Sequence, residues 1–328
     1  MSEVTDVSSL DADWRSLLTA PPADDVARLN AQLNAAMAGM PAPESMAPTA
    51  FREASDSQAR ATRTRMEWAE ERVVVLPSGP LEMRLLVPER VKGVYLYIHG
   101  GAWISGGRDL ADEILWPRAQ RAEVAVVSID YRLAPEARWP AAGDDCEAAA
   151  LWVANRATTE FGTDRIVIGG ESAGAHLSAV TALRLRDRHG RSPFCGLDLR
   201  YGMYDMRLTP SARLDRGGFL NARTLCWVLG HVFDDEVRGT ADASPLLADL
   251  RAMPPALFTV GTGDSLVDDS LLMWMRWLAA GNDAWLSLHP GCMHAFDYFP
   301  LDAAARALDD SVAFIRHCVA GSPRPPGG

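Results

Sequence analysis

Arg165-Ile166-Val167-Ile168-Gly169-Gly170-Glu171-Ser172-Ala173-Gly174 reads as an apolar strand, a sharp turn and the start of a helical pattern that continues over 173–188. Ser172 stands at the tip of the turn. A strand that reverses into a helix within two residues forces the residue at the tip into strained backbone, and glycines two before and two after leave room for strand and helix to approach. The stretch therefore predicts an exposed serine hydroxyl at the C-terminal end of a buried strand, placed for nucleophilic attack.

Gly93-Val94-Tyr95-Leu96-Tyr97-Ile98 reads as another buried strand and runs straight into His99-Gly100-Gly101-Ala102-Trp103. Adjacent glycines at a strand end expose backbone N–H groups, and donors already in place can hold the oxyanion of a tetrahedral intermediate. Gly101 and Ala102 are the candidate donors from this loop, with the N–H of Ala173 as the third. Gly100 shapes the turn, and His99 is expected to hydrogen-bond backbone and fix the loop. Asp130-Tyr131-Arg132 closes a further strand and is expected to form a buried polar brace around the same loop. Downstream, Pro255-Ala256-Leu257-Phe258-Thr259-Val260 ends in Gly261-Thr262-Gly263-Asp264, and Ala284-Trp285-Leu286-Ser287-Leu288 leads to Pro290-Gly291-Cys292-Met293-His294-Ala295-Phe296. Loops at the C-terminal ends of parallel strands converge on one crevice. Ser172, Asp264 and His294 can therefore meet as nucleophile, orienting acid and general base, in the chain order of the α/β-hydrolases.

Strand patterns near 71–76, 83–88, 93–99, 123–131, 165–170, 194–201, 256–261 and 284–289 alternate, in the later part, with helical patterns near 109–121, 141–156, 173–188, 267–280 and 303–318. The alternation predicts an α/β fold, a mostly parallel eight-stranded sheet sandwiched by helices, its first two or three strands a meander. Two segments do not fit the sheet: residues 1–60, helical over 24–37, and residues 203–250, which include the apolar helical stretch 219–230.

With its motifs in this order the chain resembles the hormone-sensitive-lipase-like family of α/β-hydrolases, the bacterial esterases with an H-G-G-G loop. The residues that carry the resemblance are His99 to Trp103, Asp130 to Glu136, Gly170 to Gly174, Gly263-Asp264-Ser265-Leu266 with Asp268-Asp269, and Gly291 to Phe296; it covers roughly residues 70 to 320. The resemblance implies carboxylic ester hydrolysis without a cofactor, on a catalytic domain over 61–320. It also implies a helical cap built from 1–60 and an insertion at about 203–250, with Trp227 a candidate for substrate contact. Relatives often pair through a sheet edge, so a homodimer is an expectation the sequence alone does not decide. Two departures stand out. The third loop glycine is Ala102, whose methyl adds bulk beside the acyl site and argues against tertiary-alcohol esters. Before the nucleophile stands Glu171, where many relatives have Asp, and its carboxylate is either a support for the site or a surface charge.

The 328 residues allow one large domain, and 48% apolar residues allow a sizeable core. A net charge of −11 with no basic run argues against nucleic-acid partners. The start Met1-Ser2-Glu3-Val4-Thr5-Asp6 is acidic where a signal peptide is basic, and no stretch is long enough to span a membrane. Five scattered cysteines suggest a reduced, cytoplasmic protein without a disulfide framework. Cys292, two residues before His294, is either an oxidation-sensitive neighbour of the site or a small buried hydrophobe. The tail at 321–328, rich in Pro and Gly, should be disordered. His176, His189, His231, His289 and His317 show no metal spacing, so no metal is expected. His289 competes with His294 as the base but falls inside a strand. Asp268 and Asp269 compete with Asp264 but fall at a helix start, where they suit the helix dipole.

Three readings of function differ in class. An esterase acting on small ester substrates uses every motif. An amidase, lactamase or acyltransferase would share the same acyl-enzyme. A ligand-binding protein on a retired scaffold, as in the plant gibberellin receptors, would lack part of the triad, whereas Ser172, Asp264 and His294 are all present.

Overall fold

Alternate residues of a strand point to opposite faces, so a strand buried on both sides must feed two cores. The computed structural model describes residues 14–76, 79–214 and 220–321, and such strands dominate it. They are β1 (Glu70–Leu76), β2 (Gly79–Leu86), β3 (Gly93–Ile98), β4 (Val124–Ile129), β5 (Ile166–Glu171), β6 (Phe194–Arg200), β7 (Ala256–Gly261) and β8 (Ala284–His289). They form one sheet in the order β1-β2-β4-β3-β5-β6-β7-β8, with β1–β2 and β2–β4 antiparallel and the remaining pairs parallel. The opening meander and the parallel remainder follow the sequence pattern. β2 begins at Gly79, earlier than its apolar run suggests, because Pro80 and Glu82 lie in a half-exposed stretch paired to β1.

The helices are α1 (Trp14–Thr19), α2 (Asp24–Met37), α3 (Pro48–Thr62), α4 (Asp112–Ala122), α5 (Ala141–Phe161), α6 (Ala173–His189), α7 (Pro210–Arg213), α8 (Ala222–Val232), α9 (Val267–Ala279) and α10 (Asp302–Ala320). On one face of the sheet Val94, Leu96 and Ile98 of β3 pack in a core with Cys146, Ala149 and Val153 of α5, Leu177 of α6 and Trp277 of α9. On the other, Tyr95 and Tyr97 of the same strand join Leu115 and Ala119 of α4 and Phe314 and Ile315 of α10. The Val, Leu, Ile and Phe side chains among these each contribute about 1.5–3 kcal/mol on burial, which holds the strands that carry the site loops in place.

Helices α1, α2 and α3 bury Val26 alone, so polar anchors attach them instead. Arg52 donates to the carbonyls of Ile104 and Ala134, both at 2.6 Å, Asp56 accepts the N–H of Gly106 at 2.9 Å, and Asn30 donates to the carbonyl of Gly291 at 2.8 Å. The same helices meet α8 where Phe51 packs edge-on to Trp227, ring centroids 5.6 Å apart. Of the segments singled out in the sequence, Phe219, the acidic start at 1–6 and the tail from 322 onward lie outside the described residues. No helix among the described residues is long and apolar enough to cross a membrane.

The turn between β5 and α6 shows why glycine is required around Ser172. β5 lies beside β3 with Gly170 opposite Ile98. A Cβ at Gly170 would stand 2.1 Å from the Ile98 carbonyl oxygen, and one at Gly174 would stand 1.9 Å from the same atom. The obstacle is backbone at the centre of the sheet, which cannot swing aside. Gly174→Ala is therefore expected to lose about 3 kcal/mol or more of stability, measured by urea unfolding; a loss under about 0.5 kcal/mol would show that the turn tolerates a side chain.

Candidate active site

Four loops leave the C-terminal ends of β3, β5, β7 and β8 on one edge of the sheet, because those strands are mutually parallel. The loop after β5 is the turn itself. Ser172 adopts φ 55° and ψ −118°, a sparsely populated backbone state that costs about 1–3 kcal/mol and persists only where the surroundings impose it. Its N–H donates to the carbonyl of Arg200 at 2.9 Å, and that bond helps impose it.

The loops after β7 and β8 supply the partners of Ser172. The Ser172 Oγ–H donates to His294 Nε2 at 2.9 Å, and His294 Nδ1–H donates to Asp264 Oδ2 at 2.8 Å. The other oxygen of Asp264 accepts the N–H of Leu266 at 2.8 Å, and both Asp264 and His294 are buried. The N–H of Gly263 donates to the carbonyl of Cys292 at 3.1 Å, locking the acid loop to the histidine loop. Tyr201 sets its ring edge-on to the His294 imidazole, centroids 4.8 Å apart.

The loop after β3 is wound tightly. Gly101 has φ 109°, and Ala102 and Trp103 both have φ 56°. The carbonyl of Gly101 accepts the N–H groups of Ile104 and Ser105 at 3.0 and 2.9 Å. Among the described residues no protein acceptor takes the N–H of Gly101, Ala102 or Ala173. His99 sits beneath, its Nδ1 2.7 Å from the Gly100 oxygen and its ring stacked on Tyr131 at 4.2 Å.

Glu171 turns out to be buried, and the structure decides its role. Its Oε1 accepts the N–H of Gly100 at 2.9 Å, the hydroxyl of Tyr97 at 2.6 Å and that of Tyr298 at 3.2 Å. Its Oε2 accepts from Arg200 at 3.0 Å. The carboxylate therefore holds the glycine loop against the strand that carries Ser172.

Several expectations change. Of the three residues predicted to brace the loop, Tyr131 donates to the His99 carbonyl at 2.9 Å, and Asp130 Oδ1 lies 4.0 Å from His99 Nε2 while accepting the N–H of Arg108, but Arg132 points elsewhere. Asp130 is part-exposed and pairs with Arg108, and Arg132 binds Asp145 at 2.8 Å with half its side chain exposed. His289 is buried beside Ser287 Oγ at 2.8 Å, and burial holds it down to about 3, neutral and apart from Ser172. Burial pushes the Cys292 thiol up to about 12, so its sulfur behaves as a small buried group. Asp268 and Asp269 do more than complement a helix dipole. Asp268 accepts the N–H of Ser211 at 2.8 Å, and Asp269 accepts the N–H groups of Tyr204 and Asp205 at 2.6 and 3.0 Å and the hydroxyl of Thr209 at 2.5 Å. They fasten the start of the 203–250 segment to the acid loop. Trp227 is half-buried between Phe51 and His231.

Sequence reasoning missed Arg200, Tyr201, Asp297 and Tyr298. Their signal was present: a charged residue closes the apolar run of β6, and an Asp-Tyr pair follows Phe296 immediately after the histidine loop.

Comparison with known proteins fits this geometry. The chain matches the family described as alpha/beta hydrolase fold over residues 95–298. It is 37% identical over 238 residues to the carboxylesterase NlhH of Mycobacterium tuberculosis, covering 69% of this chain and 74% of that protein. Among solved structures, a hyperthermophilic esterase from the archaeon Pyrobaculum calidifontis superposes with a TM-score of 0.81 at 28% identity, over 90% of this chain and 98% of its own. A thermophilic and thermostable carboxylesterase cloned from a metagenomic library superposes with a TM-score of 0.78 at 31% identity, over 84% of this chain and 98% of its own. The chain belongs to the α/β-hydrolases, and within them to the hormone-sensitive-lipase-like esterases.

The buried Asp269 makes a pH-dependent prediction. Burial pushes its carboxyl up from the ordinary 3.8 to about 7, against the pull of its three hydrogen bonds. The folded state thus holds a proton that the unfolded chain releases near 3.8, so the stability from this group is full below that pH and is lost as pH rises to about 7. Asp269→Asn keeps the shape and cannot ionise. Its melting temperature relative to wild type is expected to climb between pH 5 and pH 8, and a constant difference across that range would refute the account of Asp269.

Proposed function

We propose that Ser172, His294 and Asp264 hydrolyse small carboxylic esters with short acyl chains through an acyl-enzyme. The observation that carries the reading is the continuous hydrogen-bonded line from the Ser172 hydroxyl through His294 to Asp264, at 2.9 and 2.8 Å. Ser172 Oγ attacks the ester carbonyl while His294 Nε2 takes the hydroxyl proton. Asp264 holds Nδ1–H and stabilises the imidazolium as it forms. The N–H groups of Gly101, Ala102 and Ala173 receive the oxyanion. His294 returns the proton to the leaving alcohol, and water, deprotonated by the same imidazole, then releases the acid and restores Ser172.

The catalytic domain of this reading spans 61–320. The helices before it, with α7 and α8 of the 203–250 segment, act as a cap that keeps bulk water from the loops. A cluster of mostly buried rings backs the glycine loop. Trp103, directly after the glycine loop, packs edge-on to Phe233 at 5.3 Å and to His176, one turn beyond Ser172, at 5.1 Å, and Trp139 closes the cluster against Phe233 at 5.2 Å. The five cysteines are unbonded, which fits a reducing, cytoplasmic setting.

The test is turnover of p-nitrophenyl esters from two to twelve acyl carbons. Rates are expected to peak among the shortest chains, and Ser172→Ala to lose on the order of 10⁴- to 10⁶-fold in kcat. A folded wild-type protein that turns over none of the series, or a Ser172→Ala protein that keeps its rate, would remove the reading.

A further inference from the structure

Beneath the site lies a line of buried charge that the reaction as described does not use. Glu171 ends β5 and Arg200 ends β6, directly opposite each other in the parallel register. The Arg200 side chain is fully buried, and its two terminal nitrogens diverge: one donates to Glu171 Oε2 at 3.0 Å, the other to Asp297 Oδ2 at 2.5 Å. Its Nε has no partner among the described residues, so the guanidinium forgoes the two-point grip on one carboxylate that normally gives the strongest pairing. It bridges instead.

Each carboxylate leads to a different half of the site. Glu171 holds the Gly100 N–H, one residue before the proposed oxyanion donors. Asp297, three residues after His294, accepts the Tyr201 hydroxyl at 2.5 Å, and the ring of Tyr201 lies against the imidazole of His294. Burial alone would push Asp297 up, but the guanidinium charges of Arg200 and Arg118 outweigh it and hold Asp297 below the usual carboxylate range, so it stays anionic. Tyr201, raised by burial, keeps its proton and remains a donor.

We propose that Arg200 is a positioning residue that fixes the glycine loop and the histidine loop in one mutual geometry, through Glu171 on one side and through Asp297 and Tyr201 on the other. The inference rests on the esterase reading above. Buried ion pairs can be replaced by apolar groups with little loss of stability, so the forked pairing is best explained by the alignment it enforces. Reacting groups displaced by about 1 Å lose on the order of 100-fold in rate. Tyr201 tilts the imidazole and Glu171 tilts the N–H groups, and Arg200 keeps the two in step.

The experiment compares Tyr201→Phe, Asp297→Asn, Glu171→Gln and the Glu171→Gln/Asp297→Asn double variant on the p-nitrophenyl ester that wild type turns over fastest, with melting temperatures alongside. Each single variant is expected to lose on the order of 10- to 100-fold in kcat with KM within about twofold. Because both carboxylates act through one guanidinium, the double variant should lose little more than the worse single one. Losses that multiply would show two independent halves and overturn the proposal, as would single variants that keep wild-type kcat. Should Asp297→Asn fail to fold, Tyr201→Phe, which deletes a single oxygen, decides: reduced kcat at unchanged KM supports the proposal, and unchanged kcat ends it. A wild-type protein with no esterase activity would sink the functional reading itself, a result separable from inactivity of the variants alone.

Discussion

Two glycines, Gly170 and Gly174, crowd the carbonyl of Ile98 so closely that a Cβ at either would overlap it. β3 and β5 are neighbours in the sheet, and α6 begins immediately beyond β5, so the helix start crosses the end of β3 with only glycines at the crossing. That approach fixes two things at once. It forces Ser172 into its strained conformation at the tip, and it sets the loop that follows Ile98 directly alongside. A nucleophile and a set of backbone donors thus share one constraint, imposed by the most buried part of the sheet.

The polar interior continues that logic. The Glu171, Arg200 and Asp297 side chains are removed from water at a cost of several kcal/mol per ion before pairing. Opposite charges in sequence, with tyrosine hydroxyls on the remaining oxygens, offset that cost. What the arrangement adds is geometry, since three loops from three strands must agree to within a fraction of an ångström. The N-terminal helices join the same scheme from outside, where Arg63 lays its guanidinium over the ring of Tyr298 at 3.7 Å and donates to the Leu110 carbonyl at 2.9 Å.

Much of this was legible from local pattern. Strands buried on both faces read as apolar runs, and a loop that follows such a run must lie at the strand's end, so the proximity of Ser172, Asp264 and His294 could be argued before any coordinates. Glu171 could not be assigned that way, because its partners Gly100, Tyr97 and Arg200 come from neighbouring strands and depend on register. The same holds for Asp268 and Asp269, whose hydrogen-bond donors are mainly backbone N–H groups roughly 60 residues earlier in the chain. Arg132 went astray for a similar reason. Its carboxylate partner, Asp145, comes from α5, a contact that a run of polar residues at a strand end does not announce.

Covalent capture would test the whole account in one step. The protein would be treated with a p-nitrophenyl alkylphosphonate, whose phosphoryl oxygen mimics the oxyanion, and the adduct mapped by peptide mass spectrometry. The account predicts release of one equivalent of p-nitrophenolate per chain, the phosphonyl group on Ser172, and capture slowed at least about 100-fold in His294→Gln. A folded protein that leaves Ser172 unlabelled, or takes the label elsewhere, would contradict it.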